Sequence, residues 1–228
     1  MKQIKDIAFV LMGVLAMVVL QSCNKQTDKT QSIEDKPKTE RVMLLDNVVL
    51  AQKGINDTKN NIKGQLIFPI NVEKRKDNIN LKPATQFIID DLHEFAAKVR
   101  EVSSPDRRDT NYYYCKTKEL YEQNDIVSVL YERTSHLTGT TDTDTELLTC
   151  NYNKNTGKIL NFFDYFQVDS QNLQAFNQEF KTLFTLEDLK TLSFNFTKDT
   201  IWLNLYKDGK QERYNRLTKE VKRFLIDG

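Results

Sequence analysis

The sequence predicts an α+β fold, an antiparallel sheet of meander and hairpin strands packed by two or three helices. Three observations predict it. Runs rich in Val, Ile, Tyr and Thr come in groups, one long helical periodicity separates the first group from the second, and turn compositions punctuate the runs. Strands and helices in separate blocks favour segregated packing over the alternation of an all-parallel sheet.

The N-terminal residues stand apart from that fold. Lys2 and Lys5 precede an apolar run from Ile7 to Leu20, and Leu20-Gln21-Ser22-Cys23 closes it as a lipobox. The run is shorter than the about 20 residues of a permanent spanning helix. Residues 1–22 are therefore expected to be a lipoprotein signal peptide, and Cys23 the lipidated first residue of the mature chain. Acyl chains such as palmitate gain about 0.8 kcal/mol per buried methylene, so several hold a protein on a membrane without a spanning helix. From Asn24 to Glu40 the chain has one isoleucine and no aromatic residue, too little apolar surface to offset ordering, and reads with Cys23 as a flexible tether over 23–40. Residues 41–228 are the size of a single domain, with possible halves 41–110 and 111–228.

Within the domain, Val42 to Leu50 and Ile62 to Val72 read as strands separated by a turn at Lys53-Gly54-Ile55-Asn56-Asp57. Pro69 places the second on an edge or at a strand end. Pro83 suits the first turn of a long helix whose stripe is Phe87, Ile88, Leu92, Phe95, Ala96 and Val99, ended by Ser103-Ser104-Pro105-Asp106. Residues 112–121, 126–135 and 145–153 form a three-stranded meander with turns at Gln123-Asn124-Asp125 and Thr138-Gly139-Thr140. After the tight turn Asn155-Thr156-Gly157-Lys158, the aromatics Phe162, Phe163, Tyr165 and Phe166 read as core packing. A second helix is expected from an N-cap at Ser170, with Leu173, Phe176, Phe180, Leu183 and Phe184 on one face. Leu192 to Phe196 and Ile201 to Tyr206 form a hairpin carrying Trp202 onto the core, and Glu212 to Ile226 a short strand and helix with Leu217, Val221, Phe224 and Leu225 inward.

In such a meander Cys115 and Cys150 lie on strands flanking a common neighbour, about 9.6 Å apart. A disulfide needs Cα atoms within about 7 Å, so both are expected as buried free thiols even in an oxidising envelope.

Several pieces from Val127 onward carry a resemblance. Tyr131, Gly139, Asn151-Tyr152-Asn153, Thr156-Gly157-Lys158 and Asp164-Tyr165-Phe166 follow in the order of a tyrosine strand, a glycine turn, a strand ending near Asn-Phe-Asp, a Thr-Gly-Lys turn and an aromatic Asp-Leu-Phe element. Ile67-Phe68-Pro69 and Ser193-Phe194-Asn195-Phe196-Thr197 with Ile201 extend the likeness over about residues 42–225. This order resembles a domain of unknown function of bacterial envelope proteins. That domain is shared by the ectodomain of a lysozyme-sensing anti-sigma factor and the non-catalytic N-terminal region of peptidoglycan deacetylases. The resemblance implies a mixed fold with a binding or sensing role outside the cytoplasm. In those deacetylases the catalytic domain follows this region, whereas here the sequence stops at Gly228, so no activity is implied. The chain departs from the pattern at Asp142, where the family commonly has a turn histidine; its own His136 falls six residues earlier, so no role of that imidazole transfers.

Other chemistry finds little support. With the signal go Lys2, Lys5 and Asp6, which makes the 33 basic and 32 acidic residues of the chain equal in number, and nucleic acid is not expected as a partner. The clusters Lys74-Arg75-Lys76 and Arg107-Arg108 read as solvated turns. Asp142, Asp144 and Glu146 share a face of an extended strand, but a calcium loop needs glycine where Leu147 stands and glutamate where Asn153 stands. Ser135 and His136 point to opposite faces of a strand, against a triad with Asp142, and His93 reads as a solvated helix flank. Two histidines and three cysteines without close spacing make no zinc site, and the 7 glycines form no phosphate-cradling loop. No metal or cofactor is expected.

The reading is thus a lipid-anchored envelope protein, periplasmic or on the outer membrane. It would bind a protein or cell-wall glycan through Leu137, Gly139, Asp142 and the tyrosines Tyr112, Tyr113, Tyr114 and Tyr131. Two alternatives are an envelope glycan hydrolase using Asp142 or Asp144, and a structural subunit docking through an exposed Phe162 to Phe166 segment. Intact-mass analysis of the protein from bacterial membranes is expected to show residues 1–22 removed and Cys23 carrying fatty acid; an unmodified methionine start would refute the anchor.

Overall fold

Burial that alternates from Asn111 to Thr117 marks the middle strand of a five-stranded sheet. The computed structural model describes residues 47–72, 78–102, 109–140, 143–207 and 210–226, all within one compact unit, Arg41–Gly228. The expected lipobox and tether, Asp142, both basic clusters and the expected helix end at 103–106 lie outside the described residues. Sheet one runs in the order β1 (Val48–Asp57), β2 (Ile62–Asn71), β3 (Asn111–Gln123), β4 (Ile126–His136), β5 (Asp144–Asn153). Sheet two is β6 (Ser193–Phe196), β7 (Thr200–Lys207) and β8 (Lys210–Leu217), antiparallel throughout. The α+β class and the meander β3–β4–β5 follow the sequence reading.

One pairing departs from an all-antiparallel sheet. Strands β2 and β3 are parallel, because the chain between them crosses over as the helix α1 (Lys82–Val102). Helix α1 buries Ala84, Ile88, Phe95, Ala96 and Val99 against sheet one, with Phe87 and Leu92 half-buried beside them. Each such large apolar side chain contributes about 1.5–3 kcal/mol when fully buried. His93 is exposed on its flank. Among the described residues no helix is long and apolar enough to cross a membrane.

The first hairpin is displaced from its expected place. Lys53 to Asp57 belong to β1, and the turn falls at 58–61, where the Asp57 carboxylate accepts from the Lys59 and Asn60 amides and Asn61 takes a left-handed φ of 51°. An aspartate that caps its own turn outweighs the glycine at 54 as a signal. Pro69 sits opposite Leu50, beyond the end of the β2–β3 ladder at Ile67 and Lys116, so its missing N–H costs no ladder bond. Gly64 is needed for a close approach: a Cβ there would lie 1.7 Å from the Tyr113 carbonyl oxygen.

A second core is largely aromatic. Helix α2 (Phe162–Tyr165) places Phe162 and Phe166 in stacked contact at 4.5 Å, and Phe176, Phe180, Phe184, Phe194, Phe196 and Phe224 join them in the cluster with aliphatic residues such as Ile201 and Leu203. Phe162 and Phe166 are each 1% exposed and pack inward, against the reading of an exposed docking segment, while Phe163 beside them is 39% exposed. Helix α3 (Leu173–Phe180) starts after Asn172 and not at Ser170, because Asp169 takes up the Gln171 and Asn172 amides in a turn first. It ends at Phe180, and Leu183, in the following loop, is 94% exposed instead of facing inward. The Asn177 side chain bonds both the N–H and C=O of Phe184 and fixes that loop.

The short helices α4 (Leu186–Thr191) and α5 (Thr218–Val221), with a 3₁₀ turn at Lys222–Phe224, raise the helix count above the two or three expected. Trp202 lies on the face of sheet two turned away from the aromatic cluster, 4.4 Å beneath the Arg213 guanidinium, because β7 alternation gives the inner positions to Ile201, Leu203 and Leu205. Leu217, the last residue of β8, is 39% exposed and not inward.

The two sheets meet through polar contacts. Ser128 Oγ accepts from the Phe196 amide at 3.2 Å, and Asn151 Nδ2 donates to the Phe194 carbonyl at 2.6 Å. Beside them, Asn204 and Asn195 bond each other and Arg213 donates to both.

Cys115 and Cys150 are buried and free, on the strands either side of β4. Burial, with Asp91 adding to it, pushes the Cys115 thiol up to about 12, and burial alone pushes Cys150 up to about 12. Both are expected to react with a disulfide reagent at least about a hundredfold more slowly in the native protein than after denaturation. Denaturation without reductant should release both; release of neither would mean a disulfide and a different strand order.

Candidate functional site

Strand alternation divides the tyrosines of β3. Tyr113 points at α1 and is fully buried, while Tyr112 and Tyr114 point the other way and are 41% and 47% exposed. Their rings stack 6.5 Å apart at an interplanar angle of 7°. In the ladder, Tyr112 lies beside Lys63 and His136, and Tyr114 beside Gln65 and Thr134. Thr134 and Thr145 hydroxyls are 3.3 Å apart on the next pair.

The turn after β4 stands at the same end of the sheet. Thr140 bonds the Leu137 carbonyl through both its amide (3.1 Å) and its hydroxyl (2.7 Å), and Gly139 supplies the left-handed φ of 91° that closes the turn. Buried Asn111 anchors the turn: its side-chain oxygen accepts from the Thr138 amide at 2.9 Å, while its Nδ2 reaches the Asn61 carbonyl at 3.4 Å. One side chain at the start of β3 therefore fixes the turns at 58–61 and 137–140 together.

On the opposite face of the sheet lies a charge network that the sequence reading missed. Arg133 Nη1 donates to Asp91 Oδ1 at 2.6 Å and Nη2 donates to Glu146, while the Tyr113 hydroxyl donates to the other oxygen of Asp91. The side chains of Arg133, Asp91 and Glu146 are 13%, 12% and 19% exposed. Burial opposes the Arg133 charge, but the Asp91 and Glu146 carboxylates outweigh it and hold its pKa above the ordinary value. Burial, then the neighbouring Cys115 and Asp91, push the Tyr113 hydroxyl far up, so it serves as a donor at any ordinary pH. The signal was present: Arg133 follows Val127, Val129 and Tyr131 at every second position, a charge in a core-facing register.

The motif pieces behind the family resemblance also meet. Lys158 Nζ donates to Asp164 Oδ1 at 2.6 Å, joining the Thr156-Gly157-Lys158 turn to the Asp164-Tyr165-Phe166 element. That bond, with the Asn161 amide on the other carboxylate oxygen, holds the Asp164 carboxyl below its ordinary range.

No family model and no curated protein matches the sequence. Among solved structures the chain is similar to a DUF3298 family protein of Pseudomonas aeruginosa at 12% identity and a TM-score of 0.48, over 78% of this chain and 93% of that one. It is likewise similar to a DUF3298 member from Bacteroides fragilis at 13% identity and a TM-score of 0.46, over 79% of this chain and 92% of that one.

Of the residues expected to form one surface, the structure brings Tyr112, Tyr114, Leu137 and Gly139 to one end of sheet one. Tyr113 and Tyr131 are 0% exposed and cannot share it: Tyr113 bonds Asp91, and the Tyr131 hydroxyl donates to the Ala84 carbonyl of α1 at 3.0 Å. Asp142 and Cys23 lie outside the described residues. Asp144 is exposed at the start of β5, whereas Glu146, two residues on, is bound by Arg133. Ser135 is buried and His136 half-buried, on opposite faces. Among the described residues no three His, Cys, Asp or Glu side chains group closely enough to hold a metal ion. At the other end of β4 a groove of about 1050 Å³ runs past Asp125, Tyr165, Lys198, Thr218 and Lys222, with both signs of charge on its walls.

Removing one partner from a largely buried ionic network strands the others without compensation. Arg133→Leu is expected to lower unfolding free energy by about 3 kcal/mol in urea titration. Adding Asp91→Asn and Glu146→Gln should recover most of that loss. A single variant as stable as the parent would show the network to be unimportant.

Proposed function

We propose that this protein is a lipid-anchored extracytoplasmic binding or sensing module that contacts a protein or cell-wall glycan and performs no reaction of its own. The stacked, outward pair Tyr112 and Tyr114 beside the Leu137–Thr140 turn is the observation that carries this reading. Tyrosine joins a broad apolar face to a polar tip and loses little conformational entropy when a partner covers it, so a pair already stacked is prepared for contact. Rigid strands hold the two rings, and Asn111 holds the turn next to them, which limits the ordering cost of binding.

The lipobox ending at Cys23 supports an anchor on the outer side of a membrane, and residues 24–40 supply a polar spacer between lipid and domain. The likeness to the ectodomain of a lysozyme-sensing anti-sigma factor supports a protein of the lysozyme type, or the glycan such a protein attacks, as the ligand to try first.

The full chain, purified in detergent, is to be tested against insoluble peptidoglycan and against lysozyme. The wild type is expected to bind one of them, and Tyr112→Ala with Tyr114→Ala to weaken that binding by about tenfold or more while the melting temperature stays close to the parent's. Binding of neither by the wild type, or equal binding by the double variant, would overturn the surface. Turnover of a glycan fragment that disappears in Asp144→Asn or Asp142→Asn would instead make it an enzyme.

A further inference from the structure

Each sheet has two edges, and three of these four are closed by named contacts or charge. On β5, the Gln211 side chain bonds both the N–H and the C=O of Leu147 at 2.8 Å, and the Leu160 amide donates to the Asn151 carbonyl. On β6, Ser128 and Asn151 take up the Phe196 amide and Phe194 carbonyl. Strand β8 carries Lys210, Glu212, Arg213 and Arg216 along its short length, the charged composition that guards an edge.

Strand β1 has no such protection. It reads Val-Val-Leu-Ala-Gln-Lys-Gly-Ile-Asn-Asp, with one lysine and one aspartate in ten residues. The Val72 amide donates to the Asn47 carbonyl, so in this antiparallel ladder the odd-numbered residues of β1 bond β2 and the even-numbered ones turn outward. Val48, Leu50, Gln52, Gly54 and Asn56 thus direct their N–H and C=O groups away from the sheet, and among the described residues nothing pairs with them. Beside this edge, on one face, Val49, Ile70 and Val72 are 43%, 40% and 57% exposed.

We infer that β1 is the dimerisation edge of this protein, pairing antiparallel with β1 of a second copy to make one continuous ten-stranded sheet. The strand is complementary to itself about Gln52. A two-fold axis there sets Gln52 against Gln52, Leu50 against Gly54 and Val48 against Asn56 on one face. On the other face it sets Val49 against Ile55 and Ala51 against Lys53, so the one pair of large apolar side chains, Val49 with Ile55, meets and no like charges oppose. Moving the axis to Gly54 would set Val49 against Lys59 and lose the apolar pair. The chain's own residues 24–40 suit the edge poorly, since their polar composition with Pro37 disfavours a strand.

Gln52 is exposed, so its exchange should leave the fold intact. Sedimentation velocity of the full chain in detergent is expected to show a dimer forming by about 100 µM, a range open to an interface of modest area. Gln52→Lys and Gln52→Glu, each placing like charges at the axis, should each weaken association by about fivefold or more, and their equimolar mixture should recover it. A chain that stays monomeric at that concentration, an association that neither variant moves, or a mixture no stronger than the variants alone would overturn the inference.

Discussion

Unpaired backbone at the border of a sheet is the constraint around which this molecule is organised. Strand β6 is only four residues long, yet it can start a second sheet because Ser128 and Asn151, polar side chains on the face of sheet one turned away from α1, satisfy its amide and carbonyl. A buried amide or carbonyl without a partner costs about 1–3 kcal/mol, so these two bonds fix where β6 docks and how it is oriented. Gln211 repeats the device on β5 from the far strand of sheet two. Sheet two is therefore fastened to sheet one through side-chain amides and a hydroxyl reaching backbone, and not through a shared ladder.

This fastening leaves sheet one with two unlike faces. Helix α1 covers one of them, drawing Ile88, Phe95 and Val99 onto Tyr113, Val129 and Tyr131. Sheet two covers the other where it meets Ser128 and Asn151, while Tyr112 and Tyr114 at the far end of the meander keep substantial exposure. The exposed aromatic pair thus results from incomplete coverage, and its rigidity from the ladder bonds on both sides of β3. The Arg133 network with Asp91 and Glu146 closes the covered face near the same end, where the apolar core gives way to charge.

The two cores differ in composition for a related reason. Between α1 and sheet one the space is filled largely by aliphatic side chains, with Phe87 against Tyr131 and Phe95 against Tyr113, as the regular spacing of a long helix over a pleated surface allows. The second core is enclosed by short helices and loops, and large rings span the gaps that these irregular elements leave, with Phe162, Phe166, Phe176 and Phe194 packed face to edge or stacked. Short capped pieces can hold such a core because their ends are tied locally: Asp164 with Asn161 and Lys158, Asp188 with Thr185, and Asn177 with Phe184.

By itself the sequence determined the class, the meander, the long helix and the place of both cysteines, since these rest on periodicity and on distances between neighbouring strands. It also carried the outward or inward alternation within Tyr112-Tyr113-Tyr114, although reading those tyrosines as one surface overlooked that alternation. Only the tertiary structure decided that β2 and β3 run parallel, that Trp202 sits under Arg213, that helix α3 stops before Leu183, and that Arg133 joins residues from α1 and β5. Each of these depends on which elements become neighbours across long stretches of chain. Local propensity fixes the direction of a side chain relative to its own strand, whereas the partner it meets is set by packing.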